Sequence, residues 1–338
     1  MAGDHGEAER SKSHKTLSAQ SSRRVSPEMI LNTGSRTDIP AFYSEWFCNR
    51  VRAGYVLARN PYYPEQVTRY RIDPEVVDAI VFCTKDPGPM LPHLDLLEPF
   101  RTFWSFTITP YGREVEPRVP EKAQALETFR QLSERVGPER TSWRYDPVFV
   151  SERYPVEFHI EAFGRMAHEL RGTTAQCVVS FIDLYEKTRR NFPEARAVTH
   201  GEQGELVAAF ADIAAANGMQ IHLCCEDPSL ARPGVDATGC LSQQVLEQAL
   251  GIRLRVPARK PARPECACLL GADVGAYNTC GHGCIYCYAN HDQEAVCRNM
   301  AQHDPGSPLL IGHVSEDDQV RDARQTSWID PQPALFDL

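Results

Sequence analysis

Between about Met29 and Glu226, short apolar runs alternate with helical stretches, and this alternation admits few architectures. The runs Met29–Thr33, Ala79–Cys83, Thr102–Thr109, Ser142–Tyr145, Cys177–Asp183 and Gln220–Cys225 read as strands. Ala41–Ala53, Glu121–Val136, Val156–Leu170 and Glu205–Asn217 read as helices, the last stopping at Gly218 as a helix end favours. Repeated strand–helix units predict a parallel sheet. The expected fold is therefore α/β, a partial or closed TIM-like (β/α) barrel of six or seven units. A hairpin insertion is expected between Tyr55 and Ile72. The barrel core spans residues 28–230, behind a polar, disordered leader over residues 1–27. A cysteine-rich segment over 231–312, with a helix near Ser242–Leu250, completes it, and residues 313–338 read as a flexible tail.

Each predicted strand ends in polar residues. Lys85, Arg144, Asp146, Asp183 and Tyr185 are examples. In parallel β/α folds the carboxyl ends of the strands line the active face. These five are the candidate substrate contacts, although such residues are also ordinary turn formers.

A hydrophobic content of 42% and a charged content of 24% fit a soluble globular chain. The formal net charge of −9 supplies no overall attraction to nucleic acid. No apolar run is long enough to span a membrane, and no secretory signal is visible, so a cytoplasmic location is expected. Of 12 cysteines, Cys48, Cys83 and Cys177 are scattered, and the rest fall between Cys224 and Cys297. In a reducing compartment such crowding argues for metal rather than disulfides.

The sharpest local pattern is Cys280-x3-Cys284-x2-Cys287, with Gly281 and Gly283 inside it and Tyr286 before the last cysteine. Three thiolates on one short loop can hold three irons of a [4Fe–4S] cube and leave the fourth open, whereas most clusters take four cysteines. The competing reading is a zinc loop, but zinc favours C-x2-C pairs. The spacing resembles the signature of the radical S-adenosylmethionine (SAM) superfamily. That resemblance implies SAM on the open iron, cleavage to a 5′-deoxyadenosyl radical, and hydrogen abstraction from a substrate. It also implies a one-electron reductant such as flavodoxin or ferredoxin, with the adenine near Tyr286.

Gly34-Ser35-Arg36-Thr37-Asp38-Ile39-Pro40-Ala41, Phe82-Cys83-Thr84-Lys85-Asp86-Pro87, Trp143-Arg144-Tyr145-Asp146-Pro147, Ser180-Phe181-Ile182-Asp183 and Asp273-Val274-Gly275-Ala276-Tyr277-Asn278-Thr279-Cys280 together resemble a bacterial and archaeal family of unknown function. The resemblance covers about residues 29–312 and implies no substrate. Radical SAM proteins carry the cysteine loop after the first barrel strand, whereas here it comes last. A circular permutation accounts for this if a strand near Ala272–Tyr277 lies beside Met29–Thr33. Asp38 then becomes a candidate for the SAM ammonium and Arg36 for its carboxylate. The alternative for Asp38 is a helix cap.

Cys224, Cys240, Cys266 and Cys268 could hold a second cluster or a zinc ion. Strand alternation would turn Cys225 away from Cys224. One rival reading is a non-catalytic zinc or iron–sulfur protein with a structural, sensing or partner-binding role. Another is a nucleic-acid repair or modification enzyme, because the loop text resembles the spore photoproduct lyase group. The tail residues Gln332, Leu335 and Phe336 resemble a peptide that docks on the DNA sliding clamp.

Overall fold

The computed structural model describes residues 29–258, 267–269 and 271–331. Cys266, Gln332, Leu335 and Phe336 therefore lie outside the described residues. The first half runs β1 (Ile30–Asn32), α1 (Ile39–Phe42), α2 (Ser44–Ala53), β2 (Tyr55–Arg59), β3 (Gln66–Arg71), β4 (Ala79–Thr84), β5 (Thr102–Thr107), α3 (Lys122–Val136), β6 (Thr141–Val148) and α4 (Val156–Glu169). It continues with β7 (Gln176–Phe181), α5 (Glu186–Asn191), α6 (His200–Ala216), β8 (Gln220–Leu223), β9 (Val235–Asp236), α7 (Gln243–Leu250), β10 (Ala272–Asp273), α8 (Gln293–Ala301) and β11 (Gln319–Asp322). A 3₁₀ segment, Gly88–Leu97, links β4 to β5.

Eight strands form one parallel sheet in the order β10-β1-β4-β5-β6-β7-β8-β9. All six expected strands are present, within a few residues of their predicted ends. The strand expected near Ala272 pairs with β1 in parallel, Leu31 opposite Ala272.

Alternating side chains explain why these strands read as apolar runs rather than as a polar–apolar alternation, because both faces are covered. On one face Leu31, Ile80, Phe82, Trp104, Phe106 and Trp143 pack against Phe47, Phe129, Phe163 and Phe210 of the helices. On the other, Ile30, Ala79, Val81, Phe103 and Val178 meet Val245, Leu246 and Ala249 of α7. α7 thus plugs the face opposite the helical layer.

The helix expected over Ala41–Ala53 is broken at Tyr43, whose backbone leaves the helical region. The Tyr43 hydroxyl donates to the carbonyl of Thr279 (2.6 Å), which ties this corner to the cysteine segment. α6 begins earlier than expected, at a capping box formed by Thr199 and Glu202. The hairpin of β2 and β3 is present, and β11 extends it in parallel. The sequence reading takes residues 313–338 as a loose tail, yet residues 313–331 are built into the fold. Trp328 is buried beside α7, and its backbone N–H donates to Asp78 (2.7 Å). None of the described helices is long and apolar enough to cross a membrane.

Under the helical layer His159 is fully buried. Its Nδ1 faces the Tyr145 hydroxyl (2.9 Å) and its Nε2 the carbonyl of Phe149 (2.8 Å). Burial pushes its pKa down to about 4, against the pull of the Phe149 carbonyl. An imidazole depressed from about 6.5 contributes stability above pH 6.5 that is lost as pH falls through 4, at most about 3 kcal/mol. Urea unfolding at pH 7 and pH 4.5 should show this loss, and His159→Gln should remove most of the difference. An unchanged slope in the variant would assign the acid sensitivity to other groups.

Candidate functional site

A parallel sheet brings every strand's carboxyl end to one edge, and here that edge opens on a cavity of about 500 Å³. Its wall takes residues from or just beyond β1, β4, β5, β6, β7 and β8, including Asn32, Cys83, Thr107, Arg144, Ser180 and Cys224. The loop carrying Cys280, Cys284 and Cys287 covers it and contributes Tyr286 and Tyr288. Of the sequence-predicted site residues, Asp38, Lys85, Arg144, Asp146, Asp183, Tyr185, Tyr286, Cys224, Cys240 and Cys268 all line this space. Arg36 does not. Its guanidinium lies 5.7 Å from the Tyr277 ring centroid.

The loop's shape follows from its sequence. Gly283 has φ +73°, and a Cβ there would stand 2.6 Å from the Arg118 guanidinium. A Cβ on Gly281 would meet the Phe42 ring at 2.6 Å. Asn278, also at positive φ, closes the base by donating its N–H to the carbonyl of Ala289 (3.0 Å). Side chains then hold the loop down. Asn290 donates to the carbonyl of Cys280 (2.7 Å), Lys187 to that of Cys287 (2.6 Å), and the Tyr288 hydroxyl to that of Ser35 (2.6 Å).

Two buried carboxylates anchor the site. Asp38 caps α1 by accepting from the Ala41 N–H (3.1 Å). It also accepts from the Thr84 hydroxyl (2.6 Å) and the Lys85 N–H (2.7 Å), and it meets His282 Nε2 at 2.8 Å. One aspartate therefore joins the first β/α turn, the end of β4 and the cysteine loop. Glu116 is 2% exposed and pairs with Lys85 and Lys122, each at 2.8 Å. It accepts further hydrogen bonds from Thr109 (2.7 Å) and from the Tyr286 hydroxyl. Burial would raise the Glu116 carboxyl, but the two ammonium groups and their hydrogen bonds hold it down to about 2.

Arg144 pairs with Asp146 and donates to the sulfur of Cys240 (3.3 Å). Ser180 donates to the other oxygen of Asp146, and Tyr185 donates to Asp183 (2.8 Å). Glu226 accepts from the Phe181 N–H (2.7 Å). Burial, helped by the charges of Asp146, Cys224 and Asp183, still pushes it up to about 8. Burial also pushes the Cys280 thiol up and Cys284 to about 12, so any metal taken there must displace protons.

Among the described residues, no three His, Cys, Asp or Glu side chains are gathered round a single point as ligands of one ion. The cysteines of a cube each take a different iron, so a cluster does not require such a gathering. His282, Glu116, Glu226, Lys187 and Tyr288 are absent from the sequence-derived candidates. His282 and Tyr288 stand within the loop itself. Glu116 and Lys187 carry no local pattern, and only the fold brings them to the loop.

Fold and site define a parallel-sheet α/β protein whose strand-end cavity is walled by cysteine, buried carboxylates and their basic partners. The family described as Domain of unknown function (DUF1848) matches residues 30–289, and the chain belongs to it. The matched region ends two residues beyond Cys287. No curated protein matches the chain.

Proposed function

We propose that this protein is a radical SAM-type enzyme whose Cys280, Cys284 and Cys287 hold a [4Fe–4S] cluster facing the strand-end cavity. The observation that carries the reading is that all three cysteines share one cavity wall with the polar ends of the strands. When bound, the cluster supplies an open iron at which SAM is cleaved after one-electron reduction, by a flavodoxin or ferredoxin in this reading.

The chain's own residues position and seclude. Asp38 acts as a loop anchor through His282, since its oxygens already serve four neighbours. This role replaces the contact to the SAM ammonium. Tyr286, braced by Glu116 and set edge-on to Tyr111 at 6.3 Å, is the aromatic wall for the adenine. Arg144, Asp146, Asp183 and Tyr185 face the remaining space and orient the substrate. Seclusion matters because carbon radicals are quenched by stray donors.

We read the sheet as a permuted partial barrel. The parallel pairing of β10 with β1 supports this, because it puts the cysteine loop beside the first β/α turn. The test is anaerobic reconstitution with iron and sulfide, reduction, and incubation with SAM. The expected outcome is cluster absorption and formation of 5′-deoxyadenosine. An intact cluster that yields none would overturn the enzyme reading.

A further inference from the structure

A second sulfur group lies on the same cavity. The Cys240 thiol contacts Cys224 Sγ at 3.3 Å and Cys268 Sγ at 3.5 Å. Cys225 lines the same stretch of cavity wall as these three. Neighbours in an extended strand point to opposite faces, so Cys224 and Cys225 would ordinarily be separated. Here β8 ends at Leu223 and Cys225 adopts φ +59°, a conformation that side-chain-bearing residues seldom take. That turn leaves both cysteines on the cavity wall, contrary to the alternation expected from sequence.

We infer that Cys224, Cys225, Cys240 and Cys268 form a four-thiolate site for a single tetrahedral metal ion of the zinc class, separate from the Cys280 loop. Distance decides between an ion and a cube. Zn–S bonds of about 2.3 Å place tetrahedral sulfurs about 3.8 Å apart, so the two contacts of Cys240 need open by only about 0.3–0.5 Å. The cysteines of a cube sit on different irons and lie much farther apart.

The surroundings fit thiolates as well. Leu241 N–H donates to Cys268 Sγ (3.4 Å) and Arg144 to Cys240 Sγ (3.3 Å). The arginine offsets part of the net negative charge of four thiolates on a divalent ion, as outer partners of metal ligands commonly do. Gly239, at φ +134°, lets the chain pass Cys268, whose sulfur would be 3.2 Å from a Cβ there.

The test uses the full chain carrying Cys280→Ala, Cys284→Ala and Cys287→Ala, so its outcome is independent of the loop cluster. Zinc content and chelator competition should show a single bound zinc per chain. Adding Cys225→Ser should weaken binding by about 100-fold, at least what loss of an outer partner costs, while Cys266→Ser leaves it unchanged. As a readout that needs no further variant, zinc should protect Cys224, Cys225, Cys240 and Cys268 from alkylation, with exposed Cys297 labelled in both states. Failure to retain zinc, loss on Cys266→Ser with Cys225→Ser silent, or assembly of an iron–sulfide cluster on these four would each overturn the assignment.

Discussion

Replacing Glu116 by glutamine will lower the free energy of unfolding by about 3–5 kcal/mol, the cost of breaking a buried ion pair from one side. The Lys85 side chain is 13% exposed and would be left with its ammonium facing a neutral amide. Lys122 is more exposed and will lose less. Substituting Lys85→Met in the Glu116→Gln background removes the stranded charge and should recover part of the loss. The wild type should show the same dependence on acid. A carboxyl held at about 2 contributes stability above its unfolded value near 4.5, and that stability disappears as pH falls through 2. This window meets that of His159 only at its upper end, between about 4 and 4.5, so the two are largely separable. A Glu116→Gln variant losing less than about 1 kcal/mol, the value typical of exposed pairs, would mean that water reaches the site.

Cys280→Ala, Cys284→Ala and Cys287→Ala, made singly, should each bring cluster absorption and 5′-deoxyadenosine down to the level of unreconstituted protein. Cys297→Ala should match the wild type. Cys297 lies on α8, exposed and away from the cavity wall, and so controls for cysteine chemistry in general. Retention of a full cluster in any of the three loop variants would show that the triplet is not the ligand set. Asp38→Asn is a milder probe. It preserves the shape of the cap but weakens the contact with His282, so it should loosen the loop without deleting a ligand.

The six central strands were legible because both faces of the sheet are buried, so their apolar runs are continuous and end at polar turns. β9 and β11 are short, and the burial of β11 is uniformly low, which leaves no periodic signal to read, whereas the two-residue β10 was expected only from the permutation argument. The cysteine triplet was legible from spacing alone, and its meeting with Lys85, Arg144 and Asp146 followed from the rule for strand ends. The helix cap made by Asp38 was legible, but its link to the cysteine loop and the role of Glu116 were not. Each acts through partners that the fold delivers, His282 for Asp38 and Tyr286 for Glu116. Arg36 was placed on the cavity by the permutation argument and by arginine's fit to a carboxylate. The turn after β1 sends it instead toward Tyr277. Cys225 was set aside by strand alternation, which ends two residues earlier than the sequence suggests.

The pairing of β10 with β1 has a consequence for biogenesis. The Ser35 N–H bonds to Asp273 Oδ2 (2.9 Å) across a sequence separation of 238 residues, so the first turn of the sheet waits for a strand made much later. Contacts of such range form slowly, and the growing chain carries an unfinished sheet border while it is on the ribosome. The first β/α turn and the cysteine loop, which share the cavity wall, therefore come together only after most of the described chain has been made.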